Sequence, residues 1–219
     1  MGDRSPNRGP VERRDRVNRD EALTRGYLKA LDRLRSRYGA VVATAWANLP
    51  DHHEGRIPGF LSDIETPTVV ARRLTANVTL GYLAGITGSP VNVDLTTLAP
   101  VDAEVWRDPF ISTWANLEAG APLAAAVEAG SVRAISTAGE VVSRANRGVS
   151  ELVAHRDPRI VGWSWTTSAN ACDWCLKMAA VEWGPTEQNL FSHRHSPCHC
   201  TILPITETSA PGRELATAA

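Results

Sequence analysis

The sequence predicts a mainly α protein of the α+β kind, a helical body carrying a small zinc-stapled C-terminal β module. Three observations predict it. An apolar stripe at helical spacing runs from Tyr27 to Ala45, the stretch 109–154 is rich in alanine, and beyond Asp157-Pro158 come β-branched and aromatic residues with all four cysteines of the chain.

The chain has 219 residues, enough to bury a real core. A net charge of −1, with 43% hydrophobic and 21% charged residues, is ordinary for a globular protein and gives no global argument for nucleic-acid or membrane binding. No apolar run reaches the ~18–20 residues that cross a bilayer, so no membrane partner is expected. The opening MGDRSPNRGPVERRDR lacks the apolar core of a secretory signal. A reducing cytoplasm is the expected setting, where clustered cysteines bind metal or do redox chemistry rather than form a disulfide frame. Of 23 basic residues only Lys29 and Lys177 are lysine, a bias that fits a GC-rich genome.

Residues 1–17 carry Arg4, Arg8, Arg13, Arg14 and Arg16, partly offset by Asp3, Glu12 and Asp15, without apolar periodicity. They read as a disordered, solvated arm. Asn18 with Glu21 resembles a capping box, and Tyr27, Leu31, Leu34, Tyr38, Val41 and Ala45 then line one helix face, with Arg33, Arg35 and Arg37 off it. This helix ends before Pro50. Residues 51–66, with His52 and His53, read as a loop. A second helix starts at Thr66-Pro67, buries Val70, Leu74 and Val78, and fades at Gly85–Gly88. Residues 89–102 read as extended or loop. Three helical pieces follow, over 109–118, up to Gly130, and from Ser131 to about Ala154, with Ala134, Ala138 and Ala145 allowing close approach. Strands are expected over 160–167 (IVGWSWTT) and 201–205 (TILPI). The division is an arm over 1–17, a helical body over 18–156, a metal-binding module over 157–206 and a loose tail over 207–219.

The chemistry concentrates in CDWC (172–175) and HRHSPCHC (193–200). Cys172 and Cys175 form C-x-x-C, a spacing at which one turn presents two thiolates to one metal. Cys198 and Cys200 form C-x-C, with His195 three residues before Cys198. The metal ligands predicted are therefore drawn from Cys172, Cys175, His195, Cys198 and Cys200, with His193 and His199 as further imidazoles. Soft sulfur donors with one imidazole favour tetrahedral Zn2+ over calcium or magnesium, and Arg194 could offset part of the thiolate charge. The competing readings are a disulfide or redox pair, a catalytic zinc with Glu182 or Glu187 as base, and plain buried cysteines. Between 168 and 200 there are few aliphatic residues, so a metal would supply the folding free energy that burial does not. Trp163, Trp165, Trp174 and Trp183 would shield the site, with base stacking on a single strand as the alternative. No dinucleotide fingerprint, P-loop or G-x-S-x-G occurs.

Val161-Gly162-Trp163, C-x-x-C, H-x-x-C-x-C and the LPI at 203–205 together resemble the C-terminal region of the MuF-like phage minor head proteins, the head morphogenesis family. The variant is the one in phages of GC-rich hosts often labelled capsid maturation protease. WANLP and DPFISTWANLEAGAPLAAAVEAG upstream are similar too. The resemblance implies a minor capsid protein acting in procapsid assembly near the portal, in the virion. Its partners would be the portal protein, the scaffold or the major capsid protein, with packaged DNA as a further one. It also raises a capsid maturation protease as the alternative, for which Ser143, Ser150 and Ser168 with His155 can be named although no spacing recommends them. His199 between the two late cysteines departs from the family pattern. A zinc-based nucleic-acid module or nuclease is a third reading, without the expected basic face.

Overall fold

Three long helices set the frame. The computed structural model describes residues 10–98, 103–167, 171, 173–185 and 200–207. Within it α1 (Pro10–Ala47) lies antiparallel to both α2 (Ile57–Thr87) and α4 (Leu123–Ala154), and α3 (Arg107–Glu118) turns at Gly120, φ 84°, to run back along α4. The antiparallel pairing of α1 and α2 is read from side chains. Tyr27 stacks on Tyr82, with centroids 4.0 Å apart and planes 5° from parallel, while Trp46 meets Phe60 edge-on at the other end. Trp46, Phe60, Trp106 and Phe110 form an aromatic end to the core, each almost wholly buried.

The opposite end is polar. Asn146 of α4 donates to the Tyr27 hydroxyl and, at 3.0 Å, to Thr79 Oγ1, so one amide ties three helices. Burial pushes the Tyr27 phenol up to about 12, which keeps it neutral as a hydrogen-bonding group. Buried polar groups of this kind have one satisfied arrangement and therefore favour a single register.

Several expectations change here. Residues 10–17, read as part of a disordered arm, belong to α1; they contain no proline after Pro10, and a proline at a helix start is well tolerated. The α1 stripe keeps Tyr27, Leu31 and Tyr38 but turns to Val42 and Trp46, leaving Val41 exposed. The second helix begins not at Thr66-Pro67 but at Ile57-Pro58, so Pro58 is the proline of its first turn and Pro67 lies inside. In that turn Thr68 Oγ1 donates to Ile64 O at 2.7 Å and also meets the Tyr38 hydroxyl. The expected inner face keeps Val78, which packs against the core, but not its other two residues. Val70 and Leu74 are 50% and 46% exposed, while Ala71, Thr75, Ala76 and Thr79 are buried, because small residues let α1 and α4 come close. The loop over 51–66 is largely replaced by a 3-10 turn, Glu54–Arg56, and the start of α2. His53 caps that turn, its Nδ1 accepting from Gly55 N at 2.9 Å, and His52 packs on Trp46. The two pieces expected on either side of Gly130 are one helix, α4.

At Asp157 the chain leaves α4 for the sheet. Arg159 grips both Asp157 carboxylate oxygens and donates from Nη1 to Thr87 O at 3.1 Å, the end of α2. The Arg159 hydrogen bond holds the Asp157 carboxyl below the usual carboxylate range. A lowered carboxyl contributes stability above the ordinary carboxylate pKa and loses it as pH falls through the folded value. Asp157→Asn is expected to lower stability at pH 7 by about 1–2 kcal/mol and to flatten the acid limb of the stability curve; urea melts across pH 3–7 read both.

The sheet is three-stranded, in the order β2-β1-β3, with β1 (Ile160–Thr166) central and antiparallel to β2 (Glu182–Trp183) and β3 (Thr201–Thr206). A short helix, α5 (Asp173–Ala179), lies between β1 and β2 in sequence and was not expected. The observed class is thus mainly helical with a small sheet. The two expected strands are present, and both contribute to the same core as the long helices.

Candidate metal centre

Opposed residues of an antiparallel pair share a face. Trp163 stands opposite Pro204 and Trp165 opposite Ile202, and Trp163, Trp165 and Ile202 are almost fully buried. The next strand comes close at Gly162, where an added Cβ would lie 2.6 Å from Trp183 O, so only glycine fits. The tryptophans are tied as well as packed. Trp163 Nε1 donates to Pro185 O at 3.2 Å and Trp183 Nε1 to Met178 O at 3.2 Å. Trp174, on α5, meets Trp165 edge-on at 5.6 Å.

Two of the predicted ligands, Cys175 and Cys200, fall among the described residues. Cys175 is in the first turn of α5 and Cys200 immediately precedes β3; they are 0% and 2% exposed and belong to the same buried core. Cys172, His195 and Cys198, with His193, Arg194 and His199, lie outside the described residues. Among the described residues no group of three or more His, Cys, Asp or Glu side chains is assembled. The donor chemistry at the two positions described, buried sulfur, suits zinc. Cys175 sits on a helix rather than on the turn that C-x-x-C implied.

On the opposite face of β3 the guanidinium of Arg35 enters from α1. It is buried, donating to Thr201 Oγ1 at 3.1 Å, to Ser143 Oγ of α4 at 3.3 Å and to Asp32 Oδ1 at 2.8 Å. Arg35 had been placed off the apolar stripe. Its spacing, four after Leu31 and three before Tyr38, is the signal that puts it on the buried face.

Among the described residues named for a protease, Ser143, Ser150 and His155 do not come together. Ser143 and Ser150 are buried in α4, and Ser143 donates back to Gly139 O at 3.1 Å. His155 caps the end of the same helix. Twelve residues separate it from Ser143, roughly 18 Å of helical rise, and five separate it from Ser150, which turns the two to different sides. Glu182 is exposed on β2; Ser168 and Glu187 lie outside the described residues.

Residues 117–216 match the model of the VG15 protein family, a family of viral and phage proteins. The matched stretch holds all of α4, the sheet and all four cysteines, and the match supports a phage protein. No curated protein and no solved structure is similar enough to be matched.

Proposed function

We propose that the protein is a minor capsid component acting in phage head morphogenesis, during procapsid assembly near the portal, and that a structural zinc closes its C-terminal segment. The observation that carries the zinc reading is the burial of both Cys175 and Cys200 in the hydrophobic core, to which Trp163 and Trp165 also belong. Four of Cys172, Cys175, His195, Cys198 and Cys200 would hold the ion. Bound there, zinc supplies folding free energy rather than reaction chemistry.

The head-assembly reading rests on the resemblance carried by VGW, C-x-x-C, H-x-x-C-x-C and LPI; the family match over 117–216 supports a phage protein and nothing finer. The partners it names are the portal protein, the scaffold or the major capsid protein, with packaged DNA as a further contact. The helical body leaves Ile111, Trp114 and Val132 exposed, apolar area that a protein partner can cover. Of the residues raised for a maturation protease, Ser143, Ser150 and His155 are kept apart by α4 itself, and Ser168 lies outside the described residues.

Two measurements test the proposal. Purified procapsids, digested and read by mass spectrometry, should contain the chain; procapsids that lack it would remove the head role. Elemental analysis of the natively purified protein should find about one zinc per chain, and a folded, metal-free sample would remove the zinc.

A further inference from the structure

We infer that the outer face of α3 is a self-association surface, on which α3 of a second copy of this chain docks antiparallel. The inference is independent of the zinc and head-assembly readings. Arg107, Ile111, Trp114 and Glu118 recur along α3 at steps of 4, 3 and 4, which aligns them in one stripe. The stripe points away from Pro109, Phe110 and Thr113, the residues that α3 buries. Ile111 and Trp114, at its centre, are 48% and 45% exposed. Tryptophan in the middle of an apolar stripe is the residue type that most often anchors a protein interface. Ala115, exposed one turn after Ile111, is small enough to let a second helix approach.

The order of the stripe says what covers it. Ile111 and Trp114 are equally far from the point midway between Ser112 and Thr113, and so are Arg107 and Glu118. A second α3 turned end for end about that point sets Ile111 against Trp114 of the second copy. It also sets Arg107 against Glu118 of the second copy. Each contact then occurs twice, as a two-fold interface requires. Glu118 forms no ion pair among the described residues. It stands in the last turn of α3, where the helix dipole disfavours an acid and no basic residue offsets it. The antiparallel copy places it beside the N-terminal end of the other α3, where an acid is favoured. Asp108, on the flank, is already matched by Arg133 at 3.2 Å. Arg107 bridges Glu54 at 3.0 Å and Glu104 at 3.1 Å. Those pairs are exposed and hold the guanidinium weakly, but their carboxylates reduce what Glu118 gains. Ile111 and Trp114 therefore supply the affinity, and the charges set the direction. One helix pair buries less than the ~1,200 Å2 of a stable interface, so the dimer is weak and reversible.

Sedimentation velocity of the full-length chain, over about a hundredfold range of concentration, reads the association by mass action. Wild type should pass reversibly from monomer to dimer. Trp114→Ala is expected to raise the dissociation constant roughly tenfold or more, the effect of removing an anchor. Glu118→Arg and Arg107→Glu should each be monomeric, because each sets like charges together in its own dimer. An equimolar mixture of the two should dimerise, since every charged position then meets its opposite. Recovery in the mixture requires the antiparallel register, and neither misfolding nor a change in net charge produces it. A chain that stays monomeric throughout overturns the inference, as does a dimer indifferent to Trp114→Ala or a mixture no better than its components. A monomeric chain that binds another head protein through Trp114 also overturns it, by assigning the face to that protein. Should Arg107→Glu not fold, Glu118→Arg alone decides: a several-fold weaker dimer supports the inference, and an unchanged one overturns it.

Discussion

Stripping zinc from the native protein with a chelator is expected to open the segment 160–206 while leaving most of the helical signal in place. Structural zinc in small modules contributes on the order of 10 kcal/mol, comparable with the whole stability of a typical domain. The segment has little to replace it. Among its described residues the large buried apolar side chains are Ile160, Trp163, Trp165, Met178 and Ile202, and β2 is two residues long. The long helices keep their own aromatic end, built on Trp46, Phe60, Trp106 and Phe110, far in sequence from the cysteines. The expected outcome is a red shift of tryptophan fluorescence and new protease cleavage beyond Arg159, with a modest fall in far-ultraviolet helical dichroism. Cys175→Ser should reproduce this state, and the chelator should then add nothing further. Loss of helical signal in parallel with the fluorescence change would mean that helices and sheet form one unit of stability. The shared core makes that outcome a real competitor.

Much of this architecture is legible in the chain, and the misses have a common physical origin. Strong, one-sided periodicity was readable: the first helix, the alanine-rich close packing and the two main strands come from patterns of period 3.6 and 2. What periodicity cannot report is which punctuating residues are used as punctuation. Pro67 reads as a helix start, yet Pro58 serves that role and Pro67 is absorbed within α2. Val70 and Leu74 read as core because they are apolar, yet Thr75 and Thr79 are buried instead, each returning its hydroxyl to the carbonyl four residues back. A threonine that satisfies its own hydroxyl behaves as a small residue and permits close helix contact. Arg35 was missed for the converse reason: a charge was assumed to face water, although its spacing assigned it to the buried stripe. In the candidate site, cysteine spacing names Cys175 and Cys200 as ligands and the structure shows that both are buried, while the placing of Trp163, Trp165 and Trp183 depends on register between β1, β2 and β3, which local sequence does not encode.

Gly130 gives the sharpest case, because propensity and packing predict opposite signs there. Gly130→Ala in the middle of an ordinary helix should stabilise by about 0.5–1 kcal/mol, since glycine is the poorer helix former. In α4 the added methyl would lie 2.5 Å from Trp46 Cζ2, closer still to Thr113 Oγ1, and 3.1 Å from the Pro109 carbonyl. Neither side chain is at liberty to withdraw. Trp46 Nε1 donates to Val127 O at 3.2 Å, and Thr113 Oγ1 donates to Pro109 O at 3.1 Å. Trp46 is moreover held edge-on by Phe60 and Phe110. Overpacking therefore outweighs propensity, and Gly130→Ala is expected to destabilise by about 2 kcal/mol, with larger residues costing more. Removing the nearest obstacle should recover part of the loss: Gly130→Ala with Thr113→Ala should be more stable than the sum of the two single changes. A urea double-mutant cycle measures that coupling. A stabilised Gly130→Ala would show that α3 and Trp46 stand further from α4 than described.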